Sequence, residues 1–265
     1  MKEIASAKNS QVRAWRQLKT PTGRRAHQRF LAEGEHLSQE AVCAGQAEAL
    51  ILLKGSQVRF AALLDAGLDC FLVSAEVIRA LSDSKTPQDI LALCTLPTAV
   101  LPRDLGRRLV ALNRVQDPGN VGAVLRTMYA AGNDAMLIDS GCADPFSPKA
   151  LRASMGAIFR MPVYSFPDLS VPLTTLKDKG WQLIAGDLSG SPFFSQPPFK
   201  EKTCLLVGNE GAGLAPPLLA LADLKLKLPM PGGAESLNAA VAASLMIYEL
   251  LRGDMAASRV PPAPE

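Results

Sequence analysis

The second half of the chain contains a series of short apolar runs, each bounded by Gly, Asp or Pro. The runs are RLVALNRV, AMLIDS, WQLIAGDL, TCLLVGNE and LKLKLPM. Short, nearly continuous apolar runs of this kind are typical of strands that are buried on both faces of a parallel sheet. The pattern therefore predicts an α/β fold, with a mostly parallel sheet and helices between its strands.

The chain from residue 28 to about residue 97 alternates between helical and strand-like patterns. RFLAEGEHLSQEAVCAG has helical spacing through Phe30, Leu31, Leu37 and Val42, and SQVRFAALLDAG is also helical. The segments ALILLK, CFLVS and DILALCTL are typical of strands. This alternation predicts a separate, small α/β domain.

The boundary between the two domains is predicted at LPTAVLPRDLGRR, which combines two prolines, a glycine and a run of charges. We therefore predict a basic arm and first domain over 1–97, a linker over 98–107 and a second domain over 108–254. The proline-rich ending SRVPPAPE predicts a disordered tail over 255–265.

Several classes of protein are disfavoured by what the sequence lacks. No apolar run approaches the ~20 residues of a membrane span, and MKEIASAKNS lacks the apolar stretch of a signal peptide. The five cysteines are scattered singly along the chain, without the CxxC pairs of zinc sites, and their odd number argues against a complete disulfide framework. His27 and His36 are the only histidines. We expect a cytoplasmic protein with reduced cysteines, no membrane association and no metal centre.

The first 30 residues carry most of the positive charge of the chain. They hold eight Lys or Arg against one acid, a net +7, so that the remaining 235 residues sum to −4 within a total of +3. A basic block at one end favours a polyanionic partner such as nucleic acid. The alternative is a solvated helix face, and the charge by itself does not separate the two.

Three polar loops follow predicted strands: QDPGNVGAVLRT, GNEGAGL and PMPGGAESLN. Because ligands bind at the carboxyl ends of strands in open α/β sheets, the three loops predict one shared site. Ordinary turns would account for any one loop alone. Neither glycine loop has the GxGxxG spacing of a dinucleotide site or a Walker lysine, which disfavours a nicotinamide dehydrogenase.

The last of these loops leads into GGAESLNAAVAASLMIYELLRG, residues 232–253, which we predict as a helix. Its first turn gathers Glu235, Ser236 and Asn238, polar groups that either cap the helix or hold a ligand. Since capping needs one such side chain, the presence of several favours a ligand.

The set NVGAVLRT, LLVGNEGAGL and LPMPGGAESLNAAVAASLMIYEL, in this order, resembles the three motifs of the SpoU/TrmH family of RNA ribose 2′-O-methyltransferases. The resemblance covers residues from about 108 to 252 and includes SPKALRASMGAIFRMP. It implies a catalytic domain of the SPOUT superfamily with a deep trefoil knot, a homodimer and S-adenosylmethionine as cofactor. More weakly, residues 1–97 resemble the ribosomal-protein-like substrate-binding domain that often precedes this catalytic domain.

The resemblance also implies which residues surround the cofactor. The positions that match are Gly208, Leu228, Met230 and Leu237, with Gly186 and Asp187 expected nearby. The residues themselves agree with this, since a flat adenine needs an apolar slot and exposed main chain.

The catalytic positions implied by the resemblance are Arg126, Asn120, Glu210, Ser236 and Asn238. The family assigns Arg126 as general base, but a guanidinium has no ready lone pair. We therefore expect Arg126 to bind the neighbouring phosphate or to stabilise the developing alkoxide. Asn120 is placed where a helix N-cap belongs, and Glu210 is expected either to cap the next turn or to orient the arginine or the RNA. A surface charge is the alternative for Arg126.

Further cations are candidates for contact with the RNA backbone, with solvated surface charge as the alternative. They are Arg13, Arg16, Arg24 and Arg25 of the basic arm, and Lys149, Arg152 and Arg160 of the later segment. We expect RNA methylation, with ribosomal RNA favoured as substrate. A transfer RNA methyltransferase and a non-catalytic RNA-binding relative are the alternatives.

Overall fold

The computed structural model describes residues 1–97, 104–195 and 199–256. These divide into two compact units. The N-terminal unit is Met1–Thr98 with Asp144–Arg160, and the C-terminal unit is Ala99–Ala143 with Met161–Glu265. Most of the predicted linker and of the predicted tail lies outside the described residues.

The described residues form the following strands and helices. The strands are β1 (Lys2–Ile4), β2 (Arg29–Glu33), β3 (Ala47–Leu53), β4 (Asp69–Val73), β5 (Ile90–Thr95), β6 (Arg108–Leu112), β7 (Ala135–Asp139), β8 (Val163–Phe166), β9 (Gln182–Pro192), β10 (Thr203–Val207) and β11 (Leu224–Lys227). The helices are α1 (Ser10–Gln17), α2 (Pro21–His27), α3 (Glu35–Cys43), α4 (Ala61–Leu64), α5 (Ala75–Leu81), α6 (Pro118–Ala130), α7 (Pro148–Ser154), α8 (Ser170–Asp178), α9 (Pro216–Leu221) and α10 (Ala239–Ala256).

The N-terminal unit is built on a mixed sheet of five strands in the order β1-β4-β3-β5-β2. Strands β1, β4 and β3 are parallel, and β5 runs antiparallel to both β3 and β2. Helices α1 and α5 bury Val12, Trp15 and Ile78 against this sheet, and Trp15 packs edge-on against Phe71 at 5.0 Å. The predicted small α/β domain is confirmed.

The prediction of one helical stretch from Phe30 to Val42 is half wrong. Residues 29–33 form strand β2, in which Phe30 and Ala32 are buried and their neighbours are not. Gly34 then adopts φ +104°, a conformation that L side chains rarely take, and α3 begins only after it. The period-two burial within these five residues was hidden by apolar residues that also fit a helical period.

The segment Asp144–Arg160 packs with the N-terminal unit, although it lies in sequence within the predicted second domain. Phe30 contacts Phe146 at 5.0 Å and Phe159 at 6.0 Å between ring centroids. Arg24 forms a buried ion pair with Asp144 at 2.6 Å. The segment therefore completes the apolar core beneath β2.

The C-terminal unit contains an all-parallel sheet of six strands in the order β11-β9-β10-β6-β7-β8. Its central strands β6, β7 and β10 are almost entirely buried, as the short apolar runs predict. The predicted parallel α/β fold is confirmed, and the trefoil knot stays a prediction. Because β9, β10 and β6 are neighbours, the loops at their carboxyl ends meet at one edge of the sheet.

The last helix begins later than predicted. It starts at Ala239 rather than at residue 232, and residues 228–238 before it have no regular structure. Asn238 caps it, since its side-chain oxygen accepts from the amides of Ala240 at 3.0 Å and Val241 at 3.3 Å. Glu235 and Ser236 thus belong to a loop, which a Pro-Gly-Gly start favours. At its other end α10 includes residues 255 and 256, which were predicted as tail.

None of the described helices has the length and apolar character of a membrane span.

Candidate active site

A cavity of about 310 Å³ lies in the C-terminal unit among the middle of β9, the loops after β10 and β11, and the start of α10. We call it the C-terminal cavity. Six predicted cofactor positions line it: Gly186, Asp187, Gly208, Leu228, Met230 and Leu237. Two predicted catalytic positions, Glu210 and Ser236, line it as well. The structure therefore gathers the second and third motif loops around one cavity.

Strand β9 contributes to the cavity wall at the point where its pairing with β11 is irregular. Its pairing with β11 jumps from Ala185 opposite Lys225 to Ser191 opposite Leu226, so that residues 186–190 leave the ladder. A side chain at Gly190 would lie 2.2 Å from the Lys225 carbonyl oxygen, which explains the glycine. Such irregularities re-aim residues beside functional sites, and this one turns Gly186 and Asp187 toward the cavity.

The loop after β10 is a tight backbone turn. Asn209 and Gly213 exchange two backbone hydrogen bonds of 3.0 Å, and the Asn209 side-chain oxygen accepts from the amides of Gly211 and Ala212. A Cβ on Gly208 would lie 2.2 Å from the Gly213 carbonyl carbon. Only glycine allows this close approach, and backbone atoms therefore form the cavity wall at this point.

A chain of hydrogen bonds joins the three motif loops. The Asn120 amide donates to Glu210 Oε1 at 2.5 Å, and the Asn238 amide donates to Asn120 Oδ1 at 3.0 Å. Glu210 belongs to the described lining of the cavity, whereas Asn120 and Asn238 do not. The two asparagines thus fix the position of one carboxylate at the cavity wall.

Asn120 is not the N-cap of its helix, contrary to the sequence prediction. The cap of α6 is Asp117, whose carboxylate accepts from the amides of Gly119 at 2.6 Å and Asn120 at 3.2 Å. Pro118 occupies the first helical position, where it has no amide to satisfy. Because Asp117 does the capping, the Asn120 side chain is available for Glu210.

A buried polar pair beneath these loops was not predicted. Asn113 follows β6, Asp139 ends β7, and the Asn113 side-chain amide donates to Asp139 Oδ2. Asp139 Oδ1 also accepts from the amide of Arg114 at 3.0 Å, and the Arg114 carbonyl accepts from the Asn209 side chain at 3.0 Å. Arg114 has φ +56°, so this network holds a backbone conformation that is unusual for its residue type.

Arg126 is exposed and is absent from the described lining of the C-terminal cavity. It lies on α6 beside Thr127, whose hydroxyl is 2.8 Å from that of Ser244 on α10. Of the five predicted catalytic residues, the structure therefore brings four together within one chain. Arg126 is the exception.

Large apolar side chains are exposed near Arg126 on the same two helices. Val241, Leu245 and Tyr248 are each 45–50% exposed and follow one face of α10, and Tyr129 on α6 is 52% exposed. Helices of a monomer normally bury such a face.

Several residues of the cavity were missed by sequence reasoning. They are Leu188, Asn209, Lys227, Ala242 and Met246, among others. Lys227 and Leu188 sit at strand positions without a motif signal. Met246 could have been found, because it follows Ala239 and Ala242 at spacings of three and four residues, which place all three on one helix face.

The cavity has a mixed charge. Asp187 and Glu210 supply two carboxylates to its wall, and Lys227 supplies one ammonium. Leu228, Leu237 and Met246 supply apolar contacts. The arrangement suits an elongated ligand with an apolar part and a positive charge. Among the described residues there is no group of three His, Cys, Asp or Glu that could hold a metal ion.

The predicted RNA contacts separate into exposed and buried residues. Arg13, Arg16, Arg25, Lys149 and Arg152 are exposed. Arg160 is also exposed, and it pairs with Glu40 at 3.6 Å.

Arg24 is only 2% exposed and donates to the Leu18 carbonyl and to Asp144. The prediction of an RNA contact for Arg24 is therefore wrong, because its guanidinium is enclosed by the fold.

The cysteines are free thiols: Cys70, Cys94 and Cys204 are buried, Cys142 is half-buried and Cys43 is exposed. Burial, together with the nearby Asp139 carboxylate, raises the pKa of Cys142 to about 12. Although Cys142 lies near the motif loops, it is a neutral thiol at ordinary pH and not a nucleophile.

Comparison with known families gives two matches along the chain. The SpoU rRNA Methylase family matches residues 107–248, and the MRM3-like substrate binding domain matches residues 9–92. A similar protein is the 23S rRNA (guanosine(2553)-2′-O)-methyltransferase RlmP of Bacillus subtilis. It is 39% identical over 250 residues, which cover 94% of this chain and 99% of RlmP.

Two solved structures with bound AdoMet resemble the whole chain. One is the SpoU methyltransferase AviRb from Streptomyces viridochromogenes, with a TM-score of 0.85, 26% identity, and coverage of 94% of this chain and 99% of AviRb. The other is an rRNA methyltransferase from Sinorhizobium meliloti, with a TM-score of 0.82, 30% identity, and coverage of 95% and 97%.

Proposed function

The chain belongs to the SpoU rRNA methylase family and is an S-adenosylmethionine-dependent RNA ribose 2′-O-methyltransferase; on this premise, we propose that its substrate is 23S ribosomal RNA. The similarity to RlmP extends over 94% of this chain and so includes the N-terminal unit as well as the catalytic part. A substrate that requires both units is therefore favoured over transfer RNA. Since ribosomal RNA is the substrate proposed, we place the protein in the cytoplasm.

We propose that the C-terminal cavity binds the cofactor. The cavity offers the main chain of residues 208–213 and the side chains of Leu228 and Leu237 to the adenosine part. Its carboxylates, Asp187 and Glu210, favour a ligand with a positively charged sulfonium. The observation that supports the proposal is that the second and third motif loops line this cavity, while Asn120 of the first motif loop is hydrogen-bonded to Glu210 and Asn238.

The residues around the cavity have separate roles in this account. When bound, S-adenosylmethionine would supply an electrophilic methyl group: the ribose 2′-oxygen would displace neutral S-adenosylhomocysteine from it, and the hydroxyl proton would pass to solvent. Glu210, held by Asn120, orients the RNA or the arginine beside the methyl group. Asn238 fixes Asn120 while it caps α10, and so couples the third motif to the first. Alignment by a rigid set of side chains provides most of the acceleration in such a displacement.

We propose that Arg126 binds the phosphate next to the target ribose or stabilises the developing alkoxide. It is exposed and lies outside the cavity lining, so it is free to act in a site formed with a second copy of the chain. The exposed face of Val241, Leu245 and Tyr248 supports a homodimer through α10, close in the fold to α6. Arg126 then serves the cofactor bound by the partner.

The alternative of a non-catalytic relative is disfavoured by the hydrogen-bond chain. A protein that had lost catalysis would not need Asn120, Glu210 and Asn238 in contact. The test is transfer of tritiated methyl groups from S-adenosylmethionine to purified 23S rRNA, 16S rRNA and transfer RNA from cells that lack the gene. We expect label in 23S rRNA only. Label in transfer RNA alone would overturn the substrate, and binding of both partners without transfer would favour the non-catalytic relative.

A further inference from the structure

A second cavity, of about 290 Å³, lies within the N-terminal unit at the edge of the sheet where β3 and β4 begin and β5 ends. We call it the N-terminal cavity. Its floor is apolar, since Trp15, Phe71 and Leu93 line it and none of the three is more than 6% exposed. The volume is near the lower end of ligand cavities, ~300–1,000 Å³, and so suits one small flat group.

The rim of the N-terminal cavity is polar, and two hydrogen bonds hold the Glu48 carboxylate there. Glu48 Oε2 accepts from Arg29 Nε at 2.6 Å, and Oε1 accepts from the Thr95 hydroxyl at 2.8 Å. Each carboxylate oxygen has a second lone pair, so Glu48 can accept from a ligand while it remains fixed. Asp69 adds a second carboxylate, and Gln11, His27 and Arg29 complete the rim.

The two carboxylates determine what can enter. Since Arg29 on the rim offsets only one of the two carboxylates, the charges of Arg29, Glu48 and Asp69 sum to a net negative charge, which disfavours a phosphate or a carboxylate as ligand. The two carboxylates favour a neutral, planar group with N–H donors on its edge, and the apolar floor favours its flat body. A nucleobase with an exocyclic amino group fits both requirements. Uracil fits less well, because its one ring N–H can serve only one carboxylate.

The surroundings of the cavity favour a nucleotide within a longer strand. Helix α1, which supplies Gln11 and Trp15 to the cavity, also carries the exposed Arg13 and Arg16. Helix α2, which supplies His27, carries the exposed Arg25. Cations beside a cavity whose lining disfavours phosphate favour a nucleotide with its backbone outside the cavity and its base inside. RNA-binding proteins recognise unpaired bases in this way.

We infer that the N-terminal cavity binds one unpaired, amino-bearing base of the RNA substrate. The inference rests on the assignment of this chain as an RNA methyltransferase and concerns a site separate from the C-terminal cavity. Its central claim is that Glu48 and Asp69 read the edge of a base, whereas Arg13, Arg16 and Arg25 bind phosphates without regard to sequence.

The test is a titration of the full chain with fluorescently labelled hexamers of oligo(rA), oligo(rC) and oligo(rU) at constant salt. We expect oligo(rA) and oligo(rC) to bind at least about fivefold more tightly than oligo(rU), which is the effect expected from one charge-assisted contact to a base edge. Equal affinity for the three oligomers would overturn the inference.

Three single substitutions show whether the preference comes from this cavity. Glu48→Gln and Asp69→Asn each remove a rim charge, and loss of the preference in either supports the inference. Asp69 is well exposed and is not needed for packing, so its variant folds even if Glu48→Gln does not. Glu3→Gln is the matched control, because Glu3 is an exposed carboxylate paired with Lys54 and lies outside the cavity. A preference that survives in both rim variants would contradict the inference.

The same preparations separate this inference from the proposed function. If the unchanged protein methylates 23S rRNA but binds the three oligomers equally, only the base-binding role is wrong. If it binds S-adenosylmethionine and prefers oligo(rA) and oligo(rC), yet methylates no ribosomal RNA, the proposed substrate is wrong and the base-binding role stands.

Discussion

The C-terminal cavity is lined mainly by glycine-containing loops and the start of α10, whereas the N-terminal cavity is lined by side chains from α1, α2, β2, β3, β4 and β5. The first needs glycine at fixed positions, such as Gly208 and Gly190, because a Cβ there would collide with backbone. The second needs only that polar side chains reach one place from distant parts of the chain. A site of the first kind therefore leaves a local sequence motif, and a site of the second kind leaves none.

The largest effect is expected from Gly208→Ala. Its Cβ would lie 2.2 Å from the Gly213 carbonyl carbon and 2.4 Å from the Leu214 nitrogen, so the loop must move. We expect S-adenosylmethionine affinity, measured by calorimetry, to fall at least ~100-fold, which corresponds to ~2.7 kcal/mol. Gly211→Ala is the control, since its nearest neighbour is a side-chain oxygen 3.7 Å away. Equal affinities for the two variants would show that the cavity wall is not set by backbone approach.

Arg126→Ala tests a residue that belongs to neither cavity lining. Loss of a group that acts mainly in the transition state should lower kcat about 100-fold and leave cofactor affinity and dimerisation unchanged. Arg79→Ala, a change of another exposed arginine on α5, is the control. If Arg126→Ala retains normal turnover, the residue is a surface charge.

If the chain forms the proposed homodimer, mixed dimers test which chain Arg126 serves. Arg126→Ala and Asn238→Ala chains are each expected to be inactive alone. If one site uses Arg126 from one chain and Asn238 from the other, a mixed dimer recovers one working site of two. Activity that stays at the level of the separate variants would place both residues in the same chain's site.

Asp139→Asn tests the buried network that supports the backbone-built cavity. Asp139 accepts from the Arg114 amide, and the Arg114 carbonyl holds Asn209 at the cavity wall. At metal sites, loss of a group that supports a ligand typically lowers affinity or activity about 10–100-fold. By analogy, we expect cofactor affinity and turnover of Asp139→Asn to fall together by about 10-fold. Asp178→Asn, a change of an exposed carboxylate on α8 in the same unit, should alter neither. A loss in stability without a change in affinity would make Asp139 structural only.

Much of the C-terminal fold could be predicted because its central strands are buried on both faces and its loops carry glycine for steric reasons. The start of α10 could not, since Leu237 and Ala234 continue a helical pattern that Asn238 in fact interrupts as the cap. The Asn113–Asp139 pair and the N-terminal cavity could not be predicted either. Both depend on residues that only the sheet order brings together, such as Glu48 beside Arg29.

Two arginines of the basic arm, Arg13 and Arg24, should behave differently. Arg13→Gln removes an exposed cation, so the slope of log affinity for RNA against log salt should fall by about one unit with stability unchanged. Arg24→Gln breaks the buried pair with Asp144, so it should lower the free energy of unfolding by about 3 kcal/mol or more. Denaturant unfolding and salt titration of both variants check this. A reduced salt-dependence slope with unchanged stability for Arg24→Gln would mean that Arg24 contacts the RNA after all.

The smallest effect concerns thiol reactivity and activity. Since burial raises the pKa of Cys142 to about 12, its thiol stays protonated up to pH 9, and only Cys43 should react rapidly with iodoacetamide in the folded protein. Alkylation should leave methyl transfer unchanged. Mass spectrometry of peptides identifies the labelled cysteine, and rapid labelling of Cys142 would mean that the loops beside the C-terminal cavity open readily.

The most direct test of the account is a nucleotide-resolution map of ribose methylation in 23S rRNA from three strains. One strain has the gene, one lacks it, and one carries Asn120→Ala, which disconnects Glu210 from Asn238. We predict a 2′-O-methyl group at one nucleotide in the first strain only. The same map in all three strains, or a methyl group on a base instead of the ribose, would contradict the assignment of the substrate and of the site.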